Sequence, residues 1–134
     1  MTPEELRHDE ATRWLAQATK DLRAGRVLVA VEPSRSVFHS QQAAEKAAKA
    51  FLAIHNMPFR GTHDMKELGQ QCAALNPALA PLLAETAVLT DYAVTFRYPD
   101  APREPDGKEA ADAIQIAQRL FDEVSAFLKR RQSR

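Results

Sequence analysis

Two short segments carry residue types suited to binding phosphate. Arg60-Gly61-Thr62-His63-Asp64 sets a guanidinium, a hydroxyl and an imidazole just ahead of a helix start. Free backbone amides and the helix dipole favour an anion at such a start. The plainer reading of the same residues is a turn closed by an Asp64 cap, with His63 packing or hydrogen bonding across the molecule. The second segment is Tyr92 to Asp100, YAVTFRYPD, which joins three aromatic residues to Arg97 and a proline turn. An arginine can grip phosphate through two parallel hydrogen bonds, and a ring such as Tyr98 can stack on a base. Its competing reading has Phe96 and Tyr98 closing one end of the fold while Arg97 pairs with an internal carboxylate. Arg60, Thr62, His63, Arg97 and Tyr98 are therefore the candidates for nucleotide or phosphate binding.

Other reactive types are sparse. The histidines are His8, His39, His55 and His63, none within HExxH, and the single Cys72 has no partner cysteine for a zinc site. His39 shares a helical face with Gln42 and Glu45. That trio reads either as a metal or proton-transfer group or as a polar cluster. Cys72 reads as a small buried hydrophobe. No catalytic residue, metal ligand or cofactor is assigned. Four bases and no acid lie in Lys129–Arg134, but Arg97 to Asp112 holds five acids against three bases, which opposes an extended nucleic-acid footprint.

The elements that must position these residues follow from composition and punctuation. The chain has 134 residues, 45% hydrophobic and 27% charged, with 18 bases balancing 18 acids. This excludes a disordered tail and a histone-like basic protein, and predicts one domain over residues 1–134 with its own core. One cysteine cannot form an internal disulfide, no apolar run reaches the length of a membrane span, and the start Met1-Thr2-Pro3-Glu4-Glu5 lacks a signal segment. A soluble cytoplasmic protein is expected.

Alanine occurs 24 times and glycine 4 times, which favours helices over turn-rich sheets. Thr2, Pro3 and Glu5 open a first helix, with Trp14, Leu15, Ala18 and Leu22 on one face. Gly25 is a point where it weakens or ends. Val27 to Val31 reads as a continuation, a corner or a short strand, and Pro33 closes the segment. A second helix spans Ser34 or Ser36 to His55, ended by Asn56-Met57-Pro58. Asp64 and Glu67 cap a short third helix with Met65, Leu68 and Cys72 inward. Asn76-Pro77 starts a fourth helix carrying Leu79, Leu82, Leu83, Thr86, Leu89, Ala93 and Phe96. Asp106 and Glu109 cap a fifth, with Ala110, Ile114, Ala117, Phe121, Val124 and Leu128 inward. The predicted fold is all-α: an antiparallel up-and-down bundle of four long helices plus one short helix.

In this order, the pieces resemble the small prokaryotic HEPN-domain proteins, named for higher eukaryotes and prokaryotes nucleotide-binding. The resemblance rests on Trp14-Leu15-Ala16-Gln17-Ala18 with Asp21-Leu22, and on Phe38 through Ala50. It continues with Thr62-His63-Asp64 and Leu68, then Tyr92 with Arg97-Tyr98-Pro99-Asp100-Ala101, and the closing helix from Glu109-Ala110. It implies a commonly dimeric helical bundle, often acting with a minimal nucleotidyltransferase. Other members of the wider superfamily are metal-independent ribonucleases or toxins, and their signature is an Arg, four to six intervening residues, then a His. Here no histidine follows Arg97, while Arg35 to His39 and Arg60 to His63 have the wrong spacing.

The expected function is thus a non-catalytic protein that forms a homodimer, binds nucleotide or phosphate and partners a minimal nucleotidyltransferase, with no membrane role. The alternatives are a metal-independent ribonuclease-like toxin component acting on RNA, with His63 as acid/base and Arg97 as phosphate clamp, and a purely structural subunit. The alanine-rich second helix fits either a dimer interface or the domain's own core.

Overall fold

A computed structural model describes residues 1–59, 61, 64–95, 99 and 103–132, and of 92–95 the backbone alone. Its helices are α1 (Pro3–Leu28), α2 (Pro33–Ile54), α3 (Met65–Leu75), α4 (Ala80–Thr95) and α5 (Gly107–Gln132). A single 3-10 turn, Pro77–Leu79, precedes α4. This is the all-α bundle of four long helices and one short one that the sequence predicts, with no strand among the described residues.

Capping chemistry sets the starts. Thr2 Oγ1 accepts from the Glu5 amide at 3.1 Å while the Thr2 amide donates to Glu5 Oε2 at 2.9 Å. The same reciprocal box opens α5: the Glu109 amide donates to Asp106 Oδ1 at 2.8 Å and the Asp106 amide to Glu109 Oε1 at 3.2 Å. Arg103 adds two bonds to Glu109, at 2.6 and 2.9 Å. Those side-chain bonds first, then the Asp106 amide, hold the Glu109 carboxyl below the usual carboxylate range. Asp64 caps α3 through the Lys66 amide at 2.9 Å. Helix α2 ends on Asn56 in the left-handed region, φ 55°, with the Met57 amide reaching back to Leu52 O at 2.9 Å. That six-to-one bond is a Schellman closure, and asparagine is among the side chains that tolerate the conformation.

Two local expectations change, at Gly25 and Pro33, and the open choice at Val27 to Val31 is settled as a continued helix and a turn. Helix α1 does not weaken at Gly25 but runs on to Leu28, with Gly25 buried. The reason is close approach: a Cβ there would collide with Ile114 Cδ1 of α5, and Gly25 O accepts from Ser36 Oγ at 2.7 Å. Val27 and Val31 are about three-quarters exposed, at 74% and 73%, in the helix end and the turn after it rather than in a strand. Pro33 opens α2 instead of closing the segment before it, because the first helical position needs no amide donor.

The core centres on α2, which touches α1, α3, α4 and α5. Ala43, Ala44, Ala47, Ala48 and Ala50 are fully buried. The alanine-rich face is therefore the domain's own interior, and small side chains there let four neighbours approach one helix. Met65, Leu68 and Cys72 of α3 are buried as predicted, as are Leu79, Leu83, Thr86 and Leu89 along the 3-10 turn and α4. Phe96 lies outside the described residues. No described helix is long and apolar enough to cross a membrane.

Candidate functional site

Arg60, Thr62, His63, Arg97 and Tyr98 lie outside the described residues. Their stems are described, and two of these stems meet. The Met65 amide, at the start of α3, donates to Thr90 Oγ1 of α4 at 3.4 Å. Helix α4 continues five residues past Thr90, about 7.5 Å at a rise of 1.5 Å per residue, toward the second segment.

On the other side of the first segment, Phe59 packs edge-on against Trp14 of α1, centroids 5.8 Å apart. Lys49 of α2 extends over both rings, its Nζ 5.3 Å from the Trp14 centroid and 5.9 Å from that of Phe59. Lys49 is only 7% exposed. Among the described residues its ammonium has neither a hydrogen-bond nor an ion-pair partner.

A second polar group spans α1 and α2. Asp21 receives His39 Nδ1 at 2.9 Å on one carboxylate oxygen and Lys46 Nζ at 2.5 Å on the other. Buried beside it on α2, Gln41 donates to Glu45, and Gln42 donates to Gln41 Oε1 at 3.0 Å. The helical face predicted for His39, Gln42 and Glu45 is thus divided: His39 turns to Asp21, while Glu45 joins the glutamines. No three ligating side chains gather as a metal group among the described residues. Elsewhere His55 bonds Phe51 O through Nδ1 at 2.8 Å and stacks on Phe127 at 5.3 Å.

The family model of the HEPN domain matches residues 11–129. The chain belongs to the HEPN-domain family. Two solved structures share its fold. The crystal structure of TT1696 from Thermus thermophilus superposes with a TM-score of 0.71 at 28% identity, covering 87% of this chain and 97% of that one. ST0689, an archaeal HEPN homologue, gives 0.71 at 27% identity, covering 89% and 98%. None of the curated proteins matches the chain.

In this HEPN domain, sequence reasoning missed the cross-helix groups of Asp21 and Lys49. A signal was present. Trp14 and Asp21 are seven residues apart on α1, and His39, Lys46 and Lys49 are spaced by seven and three on α2, so each set shares a helix face. Pairing the two faces required knowing that α1 and α2 run antiparallel in this register. A groove of about 850 Å³ also opens where the start of α1 meets the ends of α2 and α5. Glu4, Glu5, Asp9 and Arg131 are among its lining residues, and it takes in none of the predicted binding residues.

Cys72 behaves as the buried hydrophobe expected of it. It is 1% exposed and its thiol points at Ala48 O, 3.6 Å away. Burial pushes its pKa up from 9.0 to about 12. The thiolate is the reactive form, so native protein at pH 8 should leave an aromatic disulfide reagent unreacted, whereas denatured protein should consume one equivalent. Because the folded value is the higher one, this contribution to stability is complete below pH 9 and is lost as pH rises toward 12. At pH 10 the loss should be about 1.4 kcal/mol. Denaturation at pH 8 and pH 10 should therefore show a smaller alkaline fall in Cys72→Ala than in the parent; equal falls would refute the assignment.

Proposed function

We propose that this HEPN domain is a non-catalytic binding and assembly module. It is a single domain over residues 1–134 that works in the cytoplasm as a homodimer, holds a nucleotide or another phosphate-bearing ligand, and docks a minimal nucleotidyltransferase. Arg60, Thr62, His63, Arg97 and Tyr98 supply the donors and the stacking ring. The observation that carries this reading is the contact of the Met65 amide with Thr90 Oγ1, which brings together the stems of the two donor-bearing segments. The absence of any histidine after Arg97 favours binding over the ribonuclease alternative.

Calorimetric titration with ATP tests it. Saturable binding is expected, weakened about ten- to a hundredfold in Arg97→Ala, the size of a lost charge-assisted bond. The circular dichroism spectrum should be unchanged. Native mass spectrometry of the endogenous complex should find a dimer carrying a nucleotidyltransferase-type partner. A parent protein that binds no nucleotide would favour a purely structural subunit. Metal-free RNA cleavage abolished by changing both His63 and Arg97 would replace the proposal with the enzyme reading.

A further inference from the structure

The geometry points to Lys49 as the anchor of an anion site, taking a phosphate group at the edge of the Trp14–Phe59 aromatic pair. This rests on the phosphate-binding reading above and adds a residue from the opposite side of the first segment. The Lys49 residue is only 7% exposed, and among the described residues its ammonium has no hydrogen-bond or ion-pair partner. An ammonium has three donors, and burying it without acceptors is unfavourable. Lys46, one turn earlier on α2, meets that need with Asp21 at 2.5 Å. Lys49 meets it, among the described residues, only with the faces of two rings. Rings stabilise the positive charge but accept no conventional hydrogen bond, so the donors stay available.

The surroundings choose the ligand class. The lysine stem is packed, so the ammonium is held in place as a compact point charge, a form suited to phosphate. Trp14 and Phe59 are themselves half-buried, so neither residue is closed off from solvent. A phosphate next to an aromatic face matches a nucleoside polyphosphate better than a simple dicarboxylate, which would gain the charge but not the stacking.

Trp14 is the only tryptophan in the chain, which makes the site self-reporting. The full-length protein is titrated with inorganic pyrophosphate and then with ATP, following Trp14 emission and, in parallel, heat. Both probes should saturate with a change in Trp14 emission. Lys49→Met keeps the stem and removes the charge; it should bind about ten- to a hundredfold more weakly, while Lys49→Arg restores binding. Lys49→Gln serves if the methionine variant fails to fold. If Lys49→Met titrates like the parent while Arg97→Ala does not, the Lys49 site is refuted and the proposed function stands. Heat without any change in Trp14 emission refutes it equally. If Lys49→Met loses binding while Arg97→Ala keeps it, the Lys49 site holds and the Arg97 assignment fails. No saturable binding to the parent protein overturns both.

Discussion

Phe51→Ala is expected to lower the free energy of unfolding by about 4 kcal/mol, within the range for emptying an aromatic site in a core. Phe51 is 1% exposed and sits on the helix that every other helix contacts. Its ring lies 5.0 Å from that of Phe127 on α5 and 4.5 Å from His55, which is itself stacked on Phe127. Removing it leaves a void between α2 and α5 and unsupports two other rings. The neighbours one turn earlier offer little relief: Ala47 and Ala48 are alanines with no rotamers to swing into the gap. Phe51→Leu should cost about 1–1.5 kcal/mol, because it keeps most of the volume and loses only the ring contacts. Urea denaturation of the three proteins checks the order. A loss below about 1.5 kcal/mol in the alanine variant would mean that α2 is not the centre on which the core depends.

The alanines around Phe51 mark where the sequence was legible and where it was not. Periodicity located α2 and its apolar stripe, since side chains three and four apart share a face. It left open whether that stripe packs inside the domain or against a second copy. An alanine is small in either place, and only the number of helices around it decides. Gly25 and Pro33 show the same limit. Glycine disfavours helix interiors locally, yet α1 continues through Gly25 because Ile114 occupies the space a side chain would need. Proline ends one helix as readily as it starts another, and α2 begins on it. Capping boxes were read directly at Thr2 and Asp106, because every group they use lies within four residues. By residue type Arg60, Thr62, His63, Arg97 and Tyr98 were singled out as candidates, and all five lie outside the described residues. Lys49 was not singled out. Its significance comes from Trp14, far earlier in the chain, and from making no ion pair or hydrogen bond among the described residues.

Asp21 should show how far the polar groups between α1 and α2 hold the bundle in register. Asp21→Ala is expected to destabilise by about 2–3 kcal/mol. Breaking a fully buried pair costs about 3–5 kcal/mol, and the lower figure reflects the partners' exposure. The Lys46 and His39 side chains retain 24% and 29% of their surface and can recover some hydration. The effect should depend on which partner remains. A double-mutant cycle of Asp21→Ala with Lys46→Met should give a coupling of about 1–2 kcal/mol, since the second change removes the charge that the first strands. The same cycle with His39→Gln should couple less, because an imidazole needs no counter-charge to stay satisfied. Asp21→Asn keeps an acceptor for its neighbours but loses the ion pair, so it should fall between the parent and the alanine variant. If instead the single variants and the Lys46 double variant change stability by less than about 0.5 kcal/mol, the group behaves as an ordinary surface pair. Among the described residues, register between α1 and α2 would then rest on apolar packing, the Gly25–Ser36 hydrogen bond and the Lys49–Trp14 contact.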